Sequence, residues 1–227
     1  MSKQSKRYQQ AKAKVDATKK YSLTEVIKLI KETSTVKFDA SVEVHVKLGI
    51  DSKKGEQVVR GTVALPQGTG KTKRIVAFVT SDKEKEAKEA GAQVVGGLEL
   101  ISQIKKDSKC DFDIAIAVPE IMKELGQIAK ILGQRGIMPN PKTGTVTTEV
   151  KKTIAELLKG KETFKNDDSG NVHLMVGKVS FLESQLKENI EAFLEAVKRA
   201  RPEGIKGPYI LSVTLSSTMG PGIKVQI

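Results

Sequence analysis

The chain has no tryptophan, one cysteine, two histidines, and only 4% aromatic residues among its 227. Each scarcity excludes something. A single cysteine, Cys110, forms no intramolecular disulfide and no cysteine-based zinc cluster. With so few aromatics, a broad platform for stacking single-stranded bases is not available. His45 and His173 make no histidine-rich metal site by themselves. No apolar run approaches the length that spans a bilayer. The lysine-rich start has no apolar core, so it is not read as a secretory signal. These features together predict a protein of the reducing cytosol, with no membrane partner.

What is abundant is positive charge, a net +12. Such an excess points to a polyanionic partner. Without aromatics, the shape and backbone of a folded nucleic acid suit it better than unstacked bases. Residues 1–20 hold Lys3, Lys6, Arg7, Lys12, Lys14, Lys19 and Lys20 against one acid, Asp16. This leader is read either as a helix formed on a partner or as a mobile, solubilising tail.

The stretch from Tyr209 to Gly222 alternates with a period of two. Tyr209, Leu211, Val213 and Leu215 form an apolar face, and Ser212, Thr214, Ser216 and Thr218 a hydroxyl face. A half-buried strand is expected, ending in a turn at Met219-Gly220-Pro221-Gly222. Outward hydroxyls can bond phosphate or ribose oxygens. Val42, Val44, Val46, Leu48 and Ile50 alternate in the same way with Ser41, Glu43, His45, Lys47 and Gly49. Asp51–Gln57 is read as a turn and Val58–Leu65 as a returning strand, giving a hairpin. The outer faces of the Ser41 and Ser212 strands could pair into one flat polar surface.

Three capping boxes are expected, at Ser22/Glu25, Ser81/Glu84 and Ser180/Glu183, each opening a helix. Between Pro66 and Gly160 the pattern changes. Arg74–Val79 and Ile114–Val118 are short continuous apolar runs, typical of strands buried on both faces. Helical segments at Leu98–Ile104, Ile121–Leu132 and Glu149–Leu158 alternate with them, which predicts a parallel α/β sheet. Gly133–Gly144, with Arg135 and Lys142, is read as an ordered basic loop. After Gly160, Glu162–Lys165 and Val172–Val176 are read as a second hairpin around Asn166–Gly170. The expected fold is an α+β discontinuous base domain, residues 1–66 and 160–227, with a second, α/β domain inserted at 67–159; the alternative on pattern alone is a single continuous α/β domain.

Catalytic patterns are thin. Gly70-Lys71-Thr72 hints at a phosphate loop, but Leu65 stands where its first glycine belongs. Asp111 and Asp113 beside Cys110 would raise the thiol pKa, the opposite of activation. No nucleophile elbow is present, so no enzyme and no cofactor are expected. The rival readings are a nucleotide-using α/β enzyme, built on the middle block, and a nonspecific DNA-coating protein.

Three motifs, in order, carry a resemblance. They are Lys37-Phe-Asp-Ala-Ser-Val-Glu43, the Arg-Gly-Ile-Met-Pro-Asn-Pro core of Gly133–Pro141, and Ser217-Thr-Met-Gly-Pro221. With Val59–Lys71 they make the whole chain resemble the family of the first protein of the large ribosomal subunit, in its bacterial form. The resemblance implies the two-domain insertion, with a nucleotide-free, Rossmann-like α/β inserted domain, and a cytoplasmic, ribosome-associated protein. It implies binding to large-subunit rRNA at a mobile side stalk beside the exit site, help in releasing deacylated exit-site tRNA, and repression of the protein's own messenger RNA. By motif match, it implies RNA contacts at Lys37, Phe38, Ser41 and Glu43 on one strand, and at Ser217, Thr218, Met219 and Gly220 on the next. Asp168, Gly170 and His173 match a nearby contact loop more loosely.

Overall fold

The computed structural model describes residues 5–52, 57–107, 110–205 and 207–226. Lys3 and most of the Asp51–Gln57 turn lie outside the described residues, as does the Lys142 side chain. The chain divides into two compact units, Met1–Gly70 with Gly160–Ile227, and Lys71–Lys159.

In the first unit, β1 (Ser41–Leu48) is the centre of an antiparallel sheet with β7 (Asn171–Lys178), β8 (Ile210–Ser217) and β9 (Ile223–Val225), in the order β7-β1-β8-β9. Val42, Val44, Val46 and Leu48 are buried, while the residues between them are half-exposed, so the alternation in the sequence becomes the two faces of the sheet. The inner face is covered by α2 (Leu23–Thr33) and α8 (Glu183–Arg199), through Val26, Ile27 and Ile30 on one helix and Leu186, Ile190, Phe193 and Val197 on the other. Ser22 and Glu25 form the expected capping box: Glu25 N–H donates to Ser22 Oγ at 3.4 Å and Ser22 N–H to Glu25 Oε2 at 2.9 Å.

Several expected connections differ. The segment at Val58–Leu65 forms β2 (Arg60–Ala64), yet it does not return along β1. Both edges of β1 are already taken, by β7 and β8, so no free ladder remains for it. It pairs instead with β6 (Lys161–Lys165) in a separate two-stranded ribbon. The second hairpin forms only at its turn: Asn166 bridges antiparallel to Val172 and Asp167 N–H donates to Asn171 O at 2.8 Å, but beyond it β6 and β7 part into different sheets, β6 to β2 and β7 to β1. β9, unforeseen in the sequence, is a three-residue return after the Met219 turn. Leu211 is exposed rather than inward: pairing slips between Lys47 and Leu48, and the bulge turns Leu211 out. The leader carries a formed helix, α1 (Lys6–Ala13), capped by Ser5 and with Ala11 buried.

The second unit has three parallel strands, β3 (Ile75–Phe78), β4 (Val94–Gly96) and β5 (Ile114–Ala117), in the order β4-β3-β5. Val76, Phe78, Ala115 and Ala117 pack to one side, against residues of α4 (Leu98–Asp107), α5 (Met122–Leu125) and α6 (Ala129–Gln134). Ile75, Ala77 and Ile116 pack to the other, against α3 (Glu84–Glu89) and α7 (Val150–Leu158). The continuous apolar runs thus have two buried faces, as their composition predicts. Ser81 opens a 3-10 turn with no side-chain cap, so the expected capping box is absent. The single helix expected over Ile121–Leu132 is broken by a 3-10 turn at Gly126–Ile128, and α6 runs on through Gly133 and Gln134. Lys71–Arg74 leads straight into β3 with no helix behind it, which removes the frame a phosphate loop needs. The Cys110 thiol is pushed up, chiefly by burial.

The first unit keeps Gln67 and Gly68 because α8 holds them. Asn189 is fully buried; its amide donates to Val176 O at 2.7 Å and Gly68 O at 2.9 Å, and its Oδ1 accepts from Gln67 N–H at 3.0 Å. Gly160 lies against the same spot at φ 106°, where an added Cβ would stand 2.7 Å from the Gly68 α-carbon. Asn189→Ala leaves these backbone groups without partners, so we expect a loss of about 2–4 kcal/mol in the first unit's stability, read by urea unfolding. A change below about 0.5 kcal/mol would show that water replaces the amide without cost.

Candidate nucleic-acid interface

The outer face of the four-stranded sheet is a grid of polar side chains whose rows follow from strand register. One row pairs Lys178 with Ser41; the next is Met175, Glu43 and Ser216. The third is His173, His45, Thr214 and Lys224, and the fourth is Asn171, Lys47 and Ser212. Inward positions on β1 are all aliphatic, which is why every polar residue there lies on the other side.

Two loops frame this grid at one end. Lys37 and Phe38 are exposed, and Phe38 keeps 55% of its surface although it is a large apolar ring. The segment is pinned by Asp39, whose carboxylate accepts from Ser180 N–H at 3.1 Å and Ser180 Oγ at 2.8 Å. Lys178 Nζ adds bonds to Asp39 O at 3.2 Å and Ser41 Oγ at 3.3 Å. Ser180 is therefore a brace for this loop rather than a helix cap. α8 starts later, at Glu183, with Leu182 N–H donating to Gln185 Oε1 at 3.0 Å.

The second loop is the turn Ser217–Gly220, closed by Gly220 N–H donating to Ser217 O at 2.8 Å. Met219 sits in it at φ 66°, a conformation that costs an L residue roughly 1–2 kcal/mol, and is 64% exposed. A Cβ on Gly220 would collide with Ser217 Oγ. Ser217 itself is turned inward and 4% exposed, so it shapes the turn from below and is not on the outer face. Arg7 of α1 donates to Met219 O at 3.1 Å, which ties the leader helix to the turn.

Thr218 is not the free outward hydroxyl that alternation suggests. Its Oγ1 accepts from Ser41 N–H at 3.1 Å and lies 3.3 Å from Ser41 O, extending the β1–β8 ladder by one residue. At the far end of the grid, Gly170 is buried at φ 75°, with its carbonyl accepting from Leu48 N–H at 2.9 Å. Asp168 is exposed, and its carbonyl accepts from Ser52 Oγ. The structural acid of this loop is its neighbour, Asp167. Its Oδ1 accepts from Asn171 N–H at 2.7 Å and Ser169 N–H at 2.9 Å, and its Oδ2 lies 3.5 Å from His173 Nε2. The amide bonds, Asn171 first, hold its pKa down to about 2. An aspartate followed two residues on by a serine is the Asx-turn pattern that could have singled it out.

The structure brings Ser41, Glu43, His173, Thr218 and Met219 to one sheet face and its rim, with Lys37 and Phe38 on the loop before β1. Asp168 and Gly170 lie in the loop preceding β7. Among the residues that motif reading passed over, Asp39, Lys178 and Asp167 hold the frame, and His45 stands at the centre.

The model of the ribosomal protein L1p/L10e family matches residues 30–221. The chain is 52% identical over 227 residues to a large ribosomal subunit protein uL1 of Mesoplasma florum, covering 100% of both chains. It is 47% identical over 227 residues to the protein of that name in Fervidobacterium nodosum, covering 100% of this chain and 97% of the relative. With that of Salinispora tropica the identity is 51% over 221 residues, 97% of this chain and 92% of the other.

Two outcomes follow from the geometry. Thr218→Val keeps the branched shape but leaves Ser41 N–H without its acceptor, so unfolding should show a loss of about 1 kcal/mol, against less than about 0.5 for Thr62→Val on the separate ribbon. Asp167 has a depressed folded pKa, so the stability it adds is present above about pH 4 and lost as pH falls through about 2. The stability gap between wild type and Asp167→Ala should accordingly be seen at pH 5 and shrink toward pH 2 in acid-unfolding curves.

Proposed function

The chain belongs to the ribosomal protein L1p/L10e family, and on that premise we propose that it is a structural constituent of the large ribosomal subunit that binds large-subunit rRNA at the mobile side stalk near the tRNA exit site. The family is one of ribosomal proteins, so the enzyme reading is set aside.

The observation that carries the proposal is the flat polar face between Phe38 and Met219. Hydroxyls, an amide, lysines and two histidines lie in register on a rigid sheet, and two large apolar side chains stand exposed at its rim. A flat surface of this kind suits the wide, shallow minor groove and ribose hydroxyls of folded RNA; it offers no helix for a DNA major groove. Lys37, Lys178 and Lys47 supply phosphate contacts, Ser41, Glu43 and Ser216 face ribose hydroxyls, and Phe38 and Met219 pack on exposed bases. Thr218, Ser217, Gly220 and Gly170 act through the backbone they fix, with Asp168 and His173 at the far margin.

The finer parts of the reading belong here too. The unit at 71–159 acts as an inserted Rossmann-like domain on a base formed by the two ends of the chain. The protein helps deacylated tRNA leave the exit site, and it represses its own messenger RNA through a segment that imitates the rRNA site. It works in the cytoplasm as part of the ribosome.

The test is filter binding of the full chain to a transcript of the rRNA stalk at fixed salt, since salt alone shifts such affinities strongly. Phe38→Ala and Met219→Ala should each weaken binding by about 1–3 kcal/mol, roughly fivefold to 150-fold. Equal affinity for wild type and both variants, or equal affinity for duplex DNA of the same length, would overturn the assignment.

A further inference from the structure

The chain has two histidines, and they meet each other. His45 on β1 and His173 on β7 are cross-strand partners at the middle of the polar face, with their Nδ1 atoms 2.8 Å apart. One of these nitrogens must donate and the other accept, so the contact holds a single proton. His45 Nε2 lies 3.0 Å from Ser216 Oγ and 4.0 Å from Glu43 Oε2, and His173 Nε2 lies 3.5 Å from Asp167 Oδ2.

These partners fix the tautomers. Asp167 is a carboxylate and accepts, so His173 carries its proton on Nε2 and offers a lone pair at Nδ1. His45 then donates from Nδ1, and its Nε2 is an unprotonated acceptor taking the Ser216 hydroxyl proton. One more proton fits at a single place, His45 Nε2. There it would donate to Ser216 Oγ, whose hydroxyl rotates to accept, beside the Glu43 carboxylate. A second added proton would set two N–H groups against each other across 2.8 Å.

Resting on the rRNA reading above, we propose that the His45–His173 pair is a proton-linked RNA contact: binding of RNA across this face is accompanied by uptake of one proton at His45 Nε2. Without that proton, the centre of the face presents the Glu43 carboxylate to a polyanion beside a neutral His45 whose Nε2 is engaged by Ser216. With it, the centre presents an imidazolium N–H that offsets Glu43.

The charged groups facing the pair are few. From β1 come Glu43 and Lys47, and Lys47 Nζ is turned to Ser169 O. From β7 and the loop before it come His173, Lys178 and the carboxylates Asp167 and Asp168. β8 contributes only Thr214 and Ser216, and β9 contributes Lys224, beyond Thr214 in the same row. In the free protein His45 is held below the ordinary histidine range, by burial first and by His173 next, against the opposing pull of Glu43. Approaching phosphates raise it. The RNA-bound state therefore binds more protons, and affinity must rise as pH falls from 8 towards 6, levelling off once the free protein is protonated as well. A single linked proton limits the slope to about tenfold per pH unit.

The experiment measures affinity of the full chain for the stalk transcript at pH 8, 7 and 6, with calorimetry in two buffers of different ionisation enthalpy to count protons. Wild type should tighten about fivefold from pH 8 to 6, with an average uptake of about a third of a proton over that range. His45→Gln and His173→Gln should lose that pH slope while the RNA's own titration stays common to all three. As a check that needs no variant, the ring-nitrogen NMR signals of His45 in wild type should titrate at higher pH with RNA than without it. Binding that is independent of pH, a slope retained in both variants, or a His45 titration unmoved by RNA overturns the proposal alone. No binding at any pH overturns the rRNA reading, and this proposal with it.

Discussion

Everything on the polar face depends on β1 having hydrogen-bonded neighbours on both edges. A strand paired on one side leaves a row of free amides and carbonyls and slides easily in register. β1 is locked between β7 and β8, and the side-chain period of two then divides it into an aliphatic face on α2 and α8 and a polar face towards solvent. A slip of one residue would bury Glu43 and His45 and expose valines, so the hydrophobic core dictates which side chains stand together outside. The cost of burying a charged group makes that register strict.

Around this sheet, polar side chains in the first unit serve largely as clamps. Asp39 holds the Phe38 loop, Asp167 holds the loop before β7, Asn189 holds the Gln67–Gly68 segment, and Thr218 extends the ladder to Ser41. Loops fixed in this way have little conformational freedom left to lose, whereas loops ordered only on binding would weaken any association by that loss. Met219 shows the same principle under strain: its left-handed backbone is retained although glycine would adopt it freely.

Much of the fold was legible wherever periodicity alone decides. The alternating run at Ser41–Leu48, that at Ile210–Ser217 beyond its bulge at Leu211, the doubly buried runs at Ile75–Phe78 and Ile114–Ala117, and the Ser22 capping box appear as their residues predict. Pairing was less legible, since nothing in Arg60–Ala64 says that both edges of β1 are occupied by segments more than a hundred residues distant. Capping patterns misled where a tertiary partner competed, as Asp39 does for Ser180. For the candidate interface, the motifs marked two segments that meet at the rim of the polar face, but the bonding of Thr218 and the direction of Leu211 depended on a turn and a bulge that alternation does not encode. The histidine pair was invisible because its members lie 128 positions apart and meet only through register.

The pairing of β1 with β8 has a consequence for synthesis. The two strands are separated by more than a hundred and sixty residues, and β1 emerges early while β8 emerges late. Until the segment from Ile210 onward has left the ribosome, one edge of β1 is bare and half of the outer grid is missing. The parallel sheet between them takes strands only from its own segment, so all of its strands have been made well before β8 appears. A nascent chain therefore carries a complete middle sheet and an unfinished polar face, and it gains the whole of that surface only once its last strands have been translated.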